Sequence, residues 1–382
     1  MKIELVKGFK DYIGKDAEKR EAIRKIIVET FEKYGFGPAE TPVVEYEDFV
    51  QGENASDEAV SDIFKLKDKG KRSLALRYEL TFPLKRIVKN KKLPYRRYQI
   101  GPVFRDEPVQ GNRLRQFTQC DVDIIGSGVK EEAEVLDIVK NLFSELNIPI
   151  KIFFGNRKLL NEILDKLEIR KNKEQILREI DKLDKLSEKE VLANLKKLGA
   201  EKVLAVLKKP KDFFKKYDSF KEVQEFEKYC KFYKVGVVFK PSLVRGLSYY
   251  DGNVFEIKTP KIKETICAGG SYQINNLSAT GISFGLDRIS ALADVGLNKE
   301  KTLVVSLNQD REAIKLVQRL REKGKSCLIY YGKPSKALEY ANSKEINEVI
   351  FVGKEEVSSG KFKIKDMKSG GERVLRGFDG KY

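Results

Sequence analysis

The chain has 382 residues, 75 Lys+Arg against 58 Asp+Glu for a net charge of +17, and neither histidine nor tryptophan. Without imidazole there can be no Ser-His-Asp or Cys-His catalytic set, no HExxH metalloprotease site and no Cys2His2 zinc finger. Cys120, Cys230, Cys267 and Cys327 are too scattered for a CxxC pair, so neither a zinc site nor a disulfide framework is expected.

A chain of this length predicts about two or three domains, each with its own core. The N-terminus MKIELVKGFKDYIG lacks the apolar run of a signal peptide, and no apolar stretch is long enough to cross a bilayer. A cytoplasmic protein without membrane partners is expected. The charge is unevenly placed: residues 1–150 carry 27 positive and 26 negative side chains and residues 241–296 carry 5 and 5. Residues 151–240 carry 24 and 15, and residues 297–382 carry 19 and 12, so the excess lies in two segments suited to a polyanionic partner.

In chain order, Ile23, Ile26, Ile27, Phe31 and Tyr34 recur at helical spacing before Gly35, predicting an amphipathic helix over Lys15–Tyr34. The β-prone Ala39–Tyr46 stretch contains Pro42 and suits an edge or an interface. Leu74–Thr81, Pro94–Arg105 and Arg115–Ile125 read as strands, the last two joined by a polar loop, and Glu131–Leu146 as a helix. Residues 156–233 turn lysine- and leucine-rich with helical spacing and a capping-box signal at Ser187 and Glu190, predicting an inserted helical module. Strands then return at Gly236–Phe239, Asn253–Ile257 and Gly281–Phe284, followed by a helix over Leu286–Val295. Beyond Leu297, strands Leu303–Leu307, Ser326–Tyr331 and Glu348–Val352 alternate with helices, as in a separate α/β domain with a parallel sheet.

Five segments suggest a ligand site. Strand alternation in RQFTQCDVDIIG puts Phe117, Gln119, Asp121 and Asp123 on one face and Thr118, Cys120, Val122 and Ile124 on the other. An aromatic ring, an amide and two carboxylates suit a polar ligand floor; a half-exposed strand is the plain alternative. Arg105, Arg113 and Arg115 flank the preceding loop, and guanidinium groups there suit phosphate, against a salt-bridged surface loop. RGLSYY at 245–250 joins Arg245 to two adjacent phenols, and CAGGSY at 267–272 adds paired glycines that let backbone approach a ligand. In GISFGLDRI, Arg288 falls in the first turn of a helix, where a cation is unfavourable unless an anion is also bound.

Together these segments resemble a class II aminoacyl-tRNA synthetase, and specifically the histidyl-tRNA synthetase family, over nearly the whole chain. Lys15–Tyr46 looks like motif 1, Tyr98–Ile125 like motif 2 and Gly281–Ile289 like motif 3, while RGLSYY and CAGGSY are similar to the family's two histidine-binding motifs. The resemblance implies an α+β catalytic domain on an antiparallel sheet (1–155 and 234–296), a helical insertion (156–233) and a C-terminal α/β anticodon-binding domain (297–382). It implies ATP-dependent ligation of histidine to its tRNA through a histidyl-adenylate, with Mg2+, no zinc, and a homodimer formed through motif 1.

Carried over by motif, Glu79, Thr81 and Gln119 would bind the substrate α-amino group, the first two lying on one face of an extended segment. Arg105 and Arg245 would hold the α-phosphate, Arg113 and Arg288 the outer phosphates, and Phe117 would stack on adenine. Asp123 and Tyr250, with Tyr249 and Tyr272, would recognise imidazole; no residue is assigned to a metal. Departures are Ser248 within RGLSYY, Ser271 and Gln273 where GGRYD is usual, Thr118 where RQFHQ is usual, and Pro108 and Asn112 in the motif 2 loop. Two rivals remain: an idle paralogue regulating a histidine-biosynthetic phosphoribosyltransferase, which typically lacks the C-terminal domain and catalytic arginines, and a synthetase for another amino acid, which leaves RGLSYY unexplained.

Overall fold

The computed structural model describes residues 3–52, 60, 62–109, 113–244, 249–297 and 300–376. It divides into two compact units, Met1–Val295 and Gly296–Tyr382.

The first unit is built on an eight-stranded sheet. Its spatial order is Gly37–Pro38, Tyr95–Phe104, Gln116–Ile125, Leu277–Gly285, Ile262–Ile274, Tyr250–Thr259, Lys151–Asn156 and Val237–Phe239. Only the two outermost pairs are parallel; every pairing between them is antiparallel. The period of two sends Cys120, Val122 and Ile124 to one face, where they join Ile23, Ile27 and Phe31 of the Gly14–Lys33 helix and Leu136, Val139 and Phe143 of the Val129–Glu145 helix. Burying these aliphatic and aromatic side chains contributes about 1.5–3 kcal/mol each. That layer makes the back of the sheet rigid and leaves the other face for polar groups.

The 156–233 segment is helical, with Arg157–Lys166, Lys173–Asp181, Glu188–Lys197, Lys202–Leu207 and Phe220–Phe232. Ser187 caps the third of these through the reciprocal Ser187–Glu190 bonds that the sequence signals. The segment shares one apolar cluster with the sheet: Phe226 stacks on Phe255 with ring centroids 5.4 Å apart.

Two sequence expectations change. Leu74–Thr81 is a strand only over Ser73–Leu76, in a small antiparallel sheet with Val44–Tyr46 and Lys65–Lys67; the chain then bends. Glu79 and Thr81 therefore do not share one face of an extended strand. The cause is local: Glu79 Oε1 accepts the Phe82 N–H at 3.2 Å and Thr81 O accepts the Leu84 N–H at 2.9 Å, closing turns before Pro83 can enter a strand. CAGGSY, in turn, lies within the 13-residue Ile262–Ile274 strand.

In the second unit the strand order is Ser326–Tyr331, Lys301–Ser306, Glu348–Val352, Lys361–Asp366, Glu372–Arg376. The first three are parallel, as the βα alternation implies, and the last two add antiparallel. Val304 and Ile350 pack on Ala313, Leu316 and Val317 on one face, and Leu303, Val305 and Val349 on Ala337 and Ala341 on the other. Burial on both faces accounts for the unbroken apolar runs of these strands.

Candidate active site

Strand register sets the site. Arg97, Asp123, Gly281 and Gly270 are consecutive partners across four strands, and Gln99, Asp121, Ser283 and Ala268 form the next such row. Side chains two apart along each strand share a face, so both rows, with Gln119 and Phe117 beyond, line the side opposite the apolar core.

The floor is a buried network of charges. Asp123 Oδ1 accepts from the Tyr272 hydroxyl at 2.6 Å, and Asp123 Oδ2 lies 2.7 Å from Nη2 of the fully buried Arg97. Gln119 Nε2 donates to both Asp121 oxygens at 2.9 and 3.0 Å. Burial raises the Asp123 carboxyl above its ordinary value, with Arg97 and the Tyr272 bond pulling against it. Burial lifts Asp121 to about 6, opposed by Arg97 and reinforced by Asp123. Glu79 is pushed up to about 7 by burial and by Asp121, with Arg105 opposing. These groups are therefore within electrostatic reach of one another, and one region holds both the ligand-floor strand and the Glu79 turn.

Glycine is required opposite Asp123. A Cβ on Gly281 would sit 2.2 Å from Asp123 Oδ1 and 2.7 Å from Val122 O. Of the paired glycines of CAGGSY, Gly270 stands in the Asp123 row, while a Cβ on Gly269 would lie 1.9 Å from Gly281 O, so Gly269 lets neighbouring strands close. Aromatic rings wall the site, with Tyr249 centred 4.7 Å from Tyr250 and 5.5 Å from Tyr272. Burial raises both the Tyr249 and Tyr272 hydroxyls well above their ordinary range, which keeps them neutral donors.

The arginines gather at the other end. Arg105 lies 5.2 Å from the Phe117 ring centre, and its Nε donates to Tyr78 O at 3.2 Å. Arg113 pairs with Glu107 at 3.0 Å. Arg288 donates to the Thr265 carbonyl; burial lowers its affinity for its proton, with Glu264 opposing and Arg113 adding to the effect. Arg113 and Arg288 thus lie within electrostatic reach although 175 positions apart in sequence. The helix carrying Arg288, Leu286–Leu292, is only seven residues long, and Asp287 already supplies negative charge in its first turn. An anion is therefore not needed to reconcile Arg288 with the helix dipole. Arg245 and Ser248 lie outside the described residues, as does Asn112.

Residues 8–289 match the profile of the family described as histidyl-tRNA synthetase, and residues 301–377 match that of an anticodon binding domain. The chain belongs to the histidyl-tRNA synthetase family. Histidine–tRNA ligase 2 of Shouchella clausii (strain KSM-K16) is 33% identical over 411 residues, covering 96% of this chain and 97% of that one. Histidine–tRNA ligase 1 of Bacillus cereus (strain ATCC 14579) is 35% identical over 422 residues, with 97% of each chain covered. The fold is similar to the crystal structure of histidyl-tRNA synthetase from Nostoc sp. PCC 7120, with a TM-score of 0.86 at 23% identity over 98% of this chain and 97% of that one. It is also similar, with a TM-score of 0.78 at 21% identity over 91% and 98%, to a Bacillus halodurans C structure titled ATP phosphoribosyltransferase regulatory subunit/histidyl-tRNA synthetase.

Within this family setting, several groups in the site or behind it were not singled out by sequence. Arg97 is one; its signal was the arginine pair at 96–97 in a strand beside Asp123. Another is the clasp around Asp287, whose carboxylate accepts from the Tyr12 hydroxyl, from Arg20 Nη1 at 2.8 Å and from the Thr118 N–H at 2.8 Å. Arg20 Nη2 also donates to Thr118 Oγ1 at 3.1 Å, so the unusual Thr118 is bonded into motif 3. A third is Glu132, which accepts from Ser271 and from Asn253 and so absorbs the Ser271 departure.

No three or more acidic or cysteine side chains cluster as a metal cage among the described residues. Mg2+ is commonly held by one or two carboxylates plus substrate phosphates, and Glu264 lies within electrostatic reach of Arg288. No helix among the described residues is long and apolar enough to cross a membrane.

Proposed function

We propose that this chain ligates histidine to its tRNA in two steps, and that the reading is carried by one arrangement: a buried carboxylate, Asp123, bonded by Tyr272 and facing a glycine row. Imidazole recognition needs an acceptor for one ring N–H and a partner at the other nitrogen, which a carboxylate and a phenol can supply. A pocket of hydrogen-bonding groups rejects apolar isosteres strongly, because they would leave its buried polar atoms unpaired.

In the first step a histidine carboxylate oxygen attacks the ATP α-phosphorus; the new P–O bond forms as the bond to the bridging oxygen breaks and pyrophosphate leaves. Glu79, Thr81 and Gln119 hold the ammonium group. Asp123, Tyr249, Tyr250 and Tyr272 hold the ring. Phe117 stacks on adenine, with Arg105 and Arg245 at the α-phosphate and Arg113 and Arg288 at the outer phosphates. Negative charge concentrates at phosphorus in the transition state, where fixed guanidinium groups stabilise it more than in the ground state. A Mg2+ ion bound with the phosphates would be held by Glu264 and would supply further neutralisation of the polyphosphate charge. In the second step a hydroxyl of the tRNA 3′-terminal ribose attacks the acyl carbon and AMP leaves. No side-chain nucleophile is needed, which suits a chain without histidine.

The +7 of residues 297–382 and the +9 of residues 151–240 suit phosphate contacts with tRNA. We also propose a cytoplasmic homodimer through motif 1, where Val44 and Tyr46 stand 44% and 53% exposed; a monomeric mass in solution would contradict it. The deciding assay is histidine-dependent exchange of labelled pyrophosphate into ATP with Mg2+. Exchange with histidine alone among the amino acids is expected. No exchange at all would return the regulatory reading that the similarity to the Bacillus halodurans protein raises, and exchange driven by another amino acid would overturn the specificity.

A further inference from the structure

We propose that Arg97 is a specificity-determining positioning residue of the histidine pocket, holding Asp123 as a fixed anion so that the pocket accepts the neutral imidazole ring rather than imidazolium. The inference rests on the histidine-activating reading and deepens it.

Arg97 has 0% exposure, an extreme for the longest and most strongly charged side chain. A guanidinium stays charged at any working pH, so it must be matched by negative groups in place. Its matches are specific. Nη2 lies 2.7 Å from Asp123 Oδ2 and donates to Leu80 O at 3.0 Å. Leu80 sits between Glu79 and Thr81, so one guanidinium joins the turn proposed to bind the α-amino group to the carboxylate proposed to bind the ring. Arg97 Nε and Nη1 have no hydrogen-bond partner among the described residues, so its remaining contribution is charge rather than satisfied geometry. The Asp123 contact is likewise a close ion pair and not a well-directed hydrogen bond.

The consequence for the ligand follows from charge count. The groups facing Arg97 are Asp123, Asp121, Tyr272 and Tyr95, and Glu79 with Arg105 stands beyond Asp121. With Arg97 present, Asp123 already has its counter-ion and retains lone pairs for a ring N–H after accepting from Tyr272. Arg97, Arg105 and the substrate ammonium group then match Asp123, Asp121 and Glu79 three for three, so an incoming imidazolium adds an unmatched cation, whereas neutral imidazole adds none. Without Arg97, the buried Asp123 carboxylate has no counter-ion. It then either takes up a proton and donates, or draws in imidazolium as its partner.

The test is the KM for histidine and for ATP in pyrophosphate exchange, at about pH 6 and about pH 8, on either side of the ring's ordinary titration. Breaking a buried ion pair by removing one partner predicts a rise in KM for histidine of about 100-fold in Arg97→Met at the higher pH, with KM for ATP unchanged within about twofold. At the lower pH the rise relative to the parent shrinks to under about tenfold, because the substrate brings the missing charge. Asp121 also leans on Arg97 and titrates near the lower pH, and Glu79 follows Asp121, so parent and variant are compared again in an Asp121→Asn background, where the pH dependence of the ratio persists if the proposal holds and disappears if it does not. Arg97→Lys keeps the charge but not the reach to both partners; its KM for histidine rises less, by the same factor at both pH values. The proposal is overturned if Arg97→Met raises both KM values alike, or if its histidine ratio does not change with pH. Should Arg97→Met fail to fold, Arg97→Lys decides: an equal loss for both substrates overturns the proposal. Absence of histidine-dependent exchange in the parent enzyme is a different result, and refutes the activity rather than the role of Arg97.

Discussion

Glu132 offers a measurement that only a histidine-free protein makes clean. It lies on the Val129–Glu145 helix, buried, and accepts from Ser271 and from Asn253 Nδ2 at 2.6 Å. Asn253 Oδ1 in turn accepts from Asn156, which also donates to Glu222, tying the helical segment to the sheet. Burial pushes the Glu132 carboxyl from 4.5 to about 7, against the Ser271 and Asn253 bonds. The folded state therefore holds this proton more tightly than the unfolded chain does. Below the unfolded value both states are protonated and nothing is lost; above about 7 both are ionised and the fold bears the full cost. At about 1.4 kcal/mol per tenfold change in proton affinity, that cost is about 3 kcal/mol.

Glu132→Gln should remove it. Protonated Glu132 and glutamine both have an acceptor for Asn253 and a donor for Ser271, whose hydroxyl can accept instead of donate. Urea unfolding followed by circular dichroism at several pH values should show the parent losing stability as pH rises from about 4.5 to about 7, and the variant losing about 3 kcal/mol less across that window. The variant should match the parent at the acid end and exceed it at the alkaline end. With no histidine titrating in that window, the slope belongs to buried carboxylates, and the difference between the two proteins to Glu132. Parallel stability curves for the two proteins would refute the assignment of that slope to Glu132.

Gly281→Ala should raise the KM for histidine by about 100-fold or abolish exchange, because a Cβ 2.2 Å from Asp123 Oδ1 must displace the carboxylate; wild-type kinetics would show that Asp123 does not bind the ring. Arg245→Ala should abolish adenylation while leaving tRNA binding, measured by filter retention, nearly intact; near-normal exchange would remove Arg245 from the mechanism.

The back of the sheet was legible in the sequence because its signal is periodic: Ile23, Ile27 and Phe31 at helical spacing and Cys120, Val122 and Ile124 at strand spacing point to the apolar layer they form. The parallel strands of the second unit were legible as apolar runs for the same reason. The Glu79–Thr81 turn was not, because one side-chain bond to the Phe82 N–H overrides a β-prone stretch, and local propensity does not encode it.

The chemical groups are plain from the chain alone: motifs that match one family, arginines without any imidazole, and two basic segments set apart from nearly neutral ones. Strand register settles which charges share a row. Arg97 and Asp123 stand 26 positions apart, and Asp123 and Gly281 158 apart, yet register makes them neighbours. Asp287 reaches Tyr12, Arg20 and Thr118 across three separate segments. Steric effects act at contact and electrostatic ones over about 10 Å of real space, so the proton affinities of Asp121, Glu79 and Glu132, and the need for glycine at 281, arise only when the sheet brings distant strands together.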